Sequence, residues 1–185
     1  MNETHKALRA GTAAAHERVD AAFAGFDLSD RDSYAAFLRA HAEVVLPLEA
    51  ALAGDRVTPD WEARKRGELL REDLAFLRDT PGRDPGLCQD YAEKWDDGEW
   101  SDAALAGALY VLEGSRLGGR FLARQVPQTF PRAYLDADQP PEKWRNLLDR
   151  FDSILYQPAE LQSALATAHT VFAAFERSAQ RWAKG

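Results

Sequence analysis

The chain of 185 residues is 45% hydrophobic and 29% charged, ordinary values for a globular protein large enough to bury a full core. Its formal net charge of −7 and pI of about 5.1 speak against a nucleic-acid or membrane-surface role, since both need a basic face. The single cysteine, Cys88, excludes an intrachain disulfide, MNETHKALRA holds no apolar signal region, and the longest nearly apolar run, Ala103 to Leu112, falls well short of the ~20 residues of a membrane helix.

The expectation is a cytoplasmic protein forming one domain over residues 1–185, and helical periodicity dominates it. A first helix is predicted from about Glu3 to Phe23, with Leu8, Thr12, Ala15, Val19 and Phe23 along one side. Ser29 or Asp30 supplies the N-cap of a second, in which Tyr34, Phe37, His41, Val44, Val45 and Leu48 recur at spacings of three and four. Pro47 should kink or loosen that helix, and Gly54 closes it. Pro59 opens a third, with Trp61, Leu69, Leu70, Leu74 and Leu77 as its apolar set. The Pro-Gly pairs at 81–82 and 85–86 read as turns, followed by a short helix from about Leu87 to Trp95. Ser101 caps the next helix, which stops near Pro127, and 131–141 is loop or a short turn. Two last helices, about Glu142 to Leu155 and Ala159 to Ala183, are divided by Gln157-Pro158. With no long alternating β pattern, the prediction is an all-α chain of seven or eight helices.

Two stretches carry chemistry. In LRAGTAAAHERVD, Arg9 and His16 are seven residues apart, so they project on one line, ~10 Å apart along the axis. An imidazole is a good iron ligand, a guanidinium grips a carboxylate, and Ala13, Ala14 and Ala15 leave room for something flat. A histidine beside apolar helix positions is also what a core or boundary residue looks like. In YVLEGSRLGGRFLAR, Gly114, Gly118 and Gly119 each cost roughly 0.8–1 kcal/mol against alanine in a helix interior. Bare backbone there suits either close approach to a flat ligand or tight helix packing, and adjacent glycines favour a kink.

Together, LRxxTxxxHxxxD near the N-terminus and EGSxLGG about a hundred residues later resemble the haem oxygenase family, in particular its compact, biliverdin-producing, phytochrome-associated bacterial branch. FLRAHAEVVLPLEAAL and AHTVFAAFE resemble that family's second helix and last pocket helix. The resemblance implies a haem oxygenase-like helical bundle with a glycine-kinked distal helix, binding haem b as cofactor and substrate. His16 would be the proximal iron ligand, Arg9 a propionate contact and Asp20 an acidic partner on the proximal helix. Gly114, Gly118 and Gly119 would be the distal glycines, Tyr110 and Phe172 pocket aromatics, and Arg145 and Arg150 further propionate contacts. The implied reaction uses O2 and electrons from a ferredoxin or flavoprotein reductase, giving biliverdin, CO and ferrous iron, with a bacterial phytochrome as a candidate recipient. Many members have an aspartate after the first distal glycine that orders water for proton delivery. Here Ser115 stands in that place, which keeps open a haem sensor or storage protein with reduced or no turnover.

Other features are weighed beside this. Arg116, Arg120 and Arg124 form a stripe that suits an acidic electron donor or an ordinary solvated face pairing with Glu113. His41 reads as a core histidine, and His169 as core or surface. Trp61, Trp95, Trp100, Trp144 and Trp182 read as packing residues. No E-x-x-H occurs, against a di-iron carboxylate site, and Cys88 does not suit a thiamin-degrading nucleophile. A ligand-free helical interaction module would leave the glycines to packing alone.

Overall fold

The computed structural model describes residues 3–78, 95, 100–138 and 140–183. Its elements are α1 (Glu3–Phe23), α2 (Arg31–Ala51), two 3-10 turns (Gly54–Arg56 and Glu62–Arg64), α3 (Gly67–Arg78), α4 (Asp102–Ala123), α5 (Ala133–Asp136), α6 (Pro141–Ile154) and α7 (Pro158–Trp182). No strand occurs among the described residues, as the periodicity predicts. The short helix expected around 87–95 lies outside them, apart from Trp95.

Helix starts follow local chemistry. Asp30, rather than Ser29, caps α2 by accepting the Ser33 N–H at 2.8 Å, while Ser29 turns its hydroxyl to Asp27. Ser101 accepts the Ala104 N–H at the start of α4, and Gln157 and Glu160 form a reciprocal capping box on α7.

The long α7 is the spine, with α1, α2 and α4 all packed along it. Its small residues Ala164, Ala168 and Ala174 are fully buried and let neighbours approach closely. A Cβ added at Gly107 of α4 would lie 2.2 Å from the Ala164 carbonyl oxygen, so only glycine allows that crossing. Leu8 of α1, Leu38, Val44, Val45 and Leu48 of α2, and Leu105 and Leu109 of α4 close the core at 0% exposure. Each buried leucine contributes roughly 1.5–3 kcal/mol. α3 and α5 then cover α2 and α4, and α6 touches α1 and α4.

Three predicted boundaries differ from the structure. The third helix does not begin at Pro59: residues 54–66 form a folded connector, and α3 starts at Gly67. Trp61 is buried against Gly54 and donates its indole N–H to the Leu52 carbonyl, while Thr58 and Arg64 both bond Asp60. Those side-chain bonds hold the connector away from helix, and the buried Glu49 carboxylate starts α3 by accepting the Arg66 and Gly67 N–H groups at 2.8 and 2.9 Å. Pro47 lies within α2 without ending it, because Val44, Val45 and Leu48 are locked in the core around it. The fourth helix ends at Ala123, short of Pro127, and α5 occupies part of the segment expected as loop.

Candidate functional site

On α1, Leu8, Thr12 and Ala15 turn to the core, which leaves Arg9, Ala13, His16 and Asp20 on an outward face. The His16 imidazole remains 62% exposed. It is nevertheless oriented: Nδ1 sits 2.9 Å from Asp20 Oδ2, one turn on, and the Phe172 ring of α7 meets it edge-on at 5.9 Å. With Nδ1 donating to the carboxylate, the Nε2 lone pair is left as the free coordinating atom. Phe172 itself is 7% exposed. Arg9 is exposed two turns earlier, and its charge is felt by His5 and Tyr110.

On α4, Gly107, Tyr110, Gly114, Gly118 and Phe121 follow one another at spacings of three and four, hence on one face, with Leu117 three residues after Gly114 and four before Phe121. Gly107 is consumed by the α7 crossing. Tyr110 is half-buried against His5 and Trp144 and is paired with Thr12, and burial pushes its phenol up. Beyond it the face opens. Among the described residues, an added Cβ at Gly114 would meet only Trp144 Cη2, at 3.8 Å, and at Gly118 nothing lies within 4 Å. Leu117 and Phe121 beside them are 56% and 66% exposed. Apolar side chains held in water next to bare backbone are what a flat, apolar ligand would cover.

Beside that face α4 is polar and tightly bonded, from exposed Ser115 to buried Glu113 and Arg116. The Ser115 hydroxyl donates to the Leu112 carbonyl at 2.7 Å and accepts from Arg66 Nη2 at 2.8 Å. Next to it the buried Glu113 carboxylate receives Arg64 at 2.8 Å and Arg116 at 3.0 Å. His41 lies among Phe23, Phe37, Tyr134 and Phe175, with Nδ1 3.0 Å from the Phe37 carbonyl, and burial pushes its imidazole down to about 4. It is the core histidine that the sequence predicts.

Several predicted residues have other places. The carbonyl of Leu135 would lie 2.9 Å from a Cβ at Gly119, so that glycine serves packing against α5 instead of an open face. The three glycines do not interrupt the run of α4. Arg150 donates to the Val57 carbonyl at 3.3 Å, not to any residue near His16. Arg145 is exposed on α6, with no contact to this face. The arginine stripe is split: Arg116 is 6% exposed and bound to Glu113, Arg120 pairs with Asp138 at 2.9 Å, and Arg124 is exposed. His169 is on the surface, and Cys88 lies outside the described residues.

Sequence reasoning passed over Gly107, Leu117, Phe121 and Arg66, and read Trp144 as packing alone. Leu117 and Phe121 had a signal, since they share the glycine face at spacings of three and four. Arg66 had none, because its partners are 46 and 49 residues away.

Comparison with known proteins bears on the family and the fold. The family model described as "Heme oxygenase" matches residues 2–181. A heme oxygenase of Xanthomonas campestris pv. campestris (strain 8004) is 35% identical over 152 residues, 77% of this chain and 82% of that protein. The NO- and CO-bound heme oxygenase from Neisseria meningitidis superposes with a TM-score of 0.78 at 19% identity, over 100% of this chain and 94% of its own. Heme oxygenase from Leptospira interrogans gives 0.68 at 20% identity, over 97% and 100%. These two share the fold. With its family match running almost end to end, this chain belongs to the haem oxygenase family.

Proposed function

We propose that the outward face of α1 and the open face of α4 are the two walls of a haem site, at which the chain opens haem b to biliverdin, CO and ferrous iron. The residues present suit that ligand: an imidazole with its second nitrogen free, a glycine face with no atom where a Cβ would stand, and uncovered Leu117 and Phe121. The observation that carries the reading is the Asp20–His16–Phe172 arrangement. An imidazole held through Nδ1 with Nε2 open would be ready to take an iron ion.

Each residue then has a task. His16 Nε2 would hold the iron, Asp20 holds the ring through Nδ1, and Phe172 limits ring rotation. Gly114 and Gly118 let the α4 backbone approach the porphyrin, and Leu117 and Phe121 exclude water from its edge. Arg9, ~10 Å along the helix from His16, reaches a propionate. Bound haem supplies the oxygen and electron chemistry and is itself the substrate. Ser115 has given away its one hydrogen and one of its two lone pairs, so it can accept one more hydrogen bond and donate none. It can therefore anchor a water molecule but not act as the acid. Electrons come from an external ferredoxin or flavoprotein reductase, O2 is the co-substrate, and a bacterial phytochrome is a candidate recipient of the product. The setting is cytoplasmic, with the whole chain as one domain; no described helix is long and apolar enough to cross a membrane.

Haem titration of the purified protein followed by a single turnover with ascorbate in air tests the reading. The expected result is one haem per chain and conversion of its absorption to a bilin spectrum. Haem bound stoichiometrically and returned intact would instead assign the chain to sensing or storage.

A further inference from the structure

α1 and α4 meet where His5 and Thr12 reach Tyr110. The His5 and Tyr110 ring centres are 6.4 Å apart, edge to face, and the phenol is paired with Thr12. On each helix the stretch that follows this contact is uncovered, at His16 one turn after Thr12 and at Gly114 and Gly118 one and two turns after Tyr110. The contact is therefore the closed end of the slot between the two helices. α6 adds a third ring there. Trp144 lies 5.9 Å from His5, nearly perpendicular to it, and 6.1 Å from Tyr110, tilted by 33°. Cη2, on the outer edge of its six-membered ring, is the atom that stands 3.8 Å from the Cβ position of Gly114.

Holding α6 in place does not require this indole. Leu147, Leu148 and Phe151 share its helical face and are buried in the core, Arg150 donates to the Val57 carbonyl, and the Lys143 carbonyl accepts from Arg64. Trp144 is half-buried at the end of that face, with its broad edge over a glycine of α4. Aromatic rings contributed by three different helices make an edge that is apolar and stiff.

Such an edge matters because haem is a nearly symmetric disc. Ligation at His16 would leave it free to turn about the iron–nitrogen axis, and the long, exposed Arg9 side chain would restrain one corner only loosely. The geometry points to Trp144 as the residue that sets specificity in this slot: its ring edge stops the porphyrin at the closed end and so fixes which side of the macrocycle lies under the bare backbone of Gly114 and Gly118. This rests on the haem site proposed between α1 and α4. A changed seat then changes which biliverdin isomer forms, without loss of binding.

Two readouts test this in the haem-loaded protein, and the first needs no turnover. The haem methyl pattern in the proton magnetic resonance spectrum of the ferric cyanide complex reports the seat. Chromatography of the bilin after a single turnover with ascorbate reports the isomer. Trp144→Ala should bring in a set of methyl resonances absent from wild type and lower the ratio of main to minor isomer by about tenfold or more, the scale on which a displacement of ~1 Å acts on a reaction rate. Trp144→Phe, which keeps an aromatic edge, should stay near wild type in both. His5→Ala removes the support behind the indole and should move both readouts in the same direction by less; it carries the test if Trp144→Ala does not fold. Haem-loaded Trp144→Ala and His5→Ala proteins with the wild-type methyl pattern and isomer ratio would overturn the assignment while leaving the haem site intact. Wild type that takes up no haem would overturn both.

Discussion

Along the first half of α4, from Ala103 to Leu112, almost every residue is buried, whereas from Gly114 to Phe121 one face stands open. Gly107 and Gly118 lie on the same stripe of the same helix, and their surroundings are opposite. A carbonyl of α7 fills the space where a Cβ at Gly107 would be, and nothing is within reach at Gly118. In the closed half, glycine is required by the protein itself. In the open half it costs helix stability and no contact within the fold makes up for it, which is why a ligand is the economical explanation. The two halves meet at Glu113, which ties α4 to the connector through Arg64 and holds Arg116.

The largest expected effect is at that junction. Glu113→Ala leaves the buried Arg116 guanidinium without its carboxylate and Arg64 with Asp60 alone, and should cost roughly 3–5 kcal/mol in chemical denaturation. A loss under ~1 kcal/mol would mean that water reaches the junction and that the closed half ends earlier.

The same closed-and-open contrast separates two histidines. His41 in its ring box is held below its ordinary value, at about 4, so the unfolded chain binds a proton more readily than the folded one. Its contribution to stability is present in full above the unfolded value of about 6.5 and is lost as pH falls from there toward 4, by as much as roughly 3 kcal/mol. His41→Leu should flatten the denaturation profile across that window. His16 stands outside any such box, 62% exposed.

Gly107→Ala should destabilise by about 2 kcal/mol or more, since backbone must move to admit the methyl group. The smallest effect has the opposite sign. Gly118→Ala should stabilise the ligand-free protein by up to about 1 kcal/mol while weakening haem uptake. A Gly118→Ala protein that melts earlier than wild type would show that the open face is filled from within.

Most of the fold was legible because α1, α2, α6 and α7 each carry an apolar stripe, and the last three have a cap or proline at the start. The connector over 54–66 was not, because its shape comes from Trp61, Asp60, Arg64 and Glu49, whose partners are scattered along the chain. The site divides in the same way. His16 and Asp20 are one helical turn apart, so local spacing reveals them, and Phe172 came into view through the resemblance of its helix. The surroundings of Gly119 and Arg150 were not legible, because spacing cannot tell a glycine facing α5 from one facing solvent, or an arginine bonded to a loop carbonyl from a free one. Arg66 was invisible for the same reason.

The central claim is that His16 is the axial ligand of a haem held against α4. The most direct measurement is the optical and electron paramagnetic resonance spectrum of ferric haem complexes of wild type and His16→Ala, with added imidazole as rescue. The account predicts histidine-ligated iron in wild type, lost in the variant and restored by imidazole. Unchanged iron ligation in His16→Ala would contradict it.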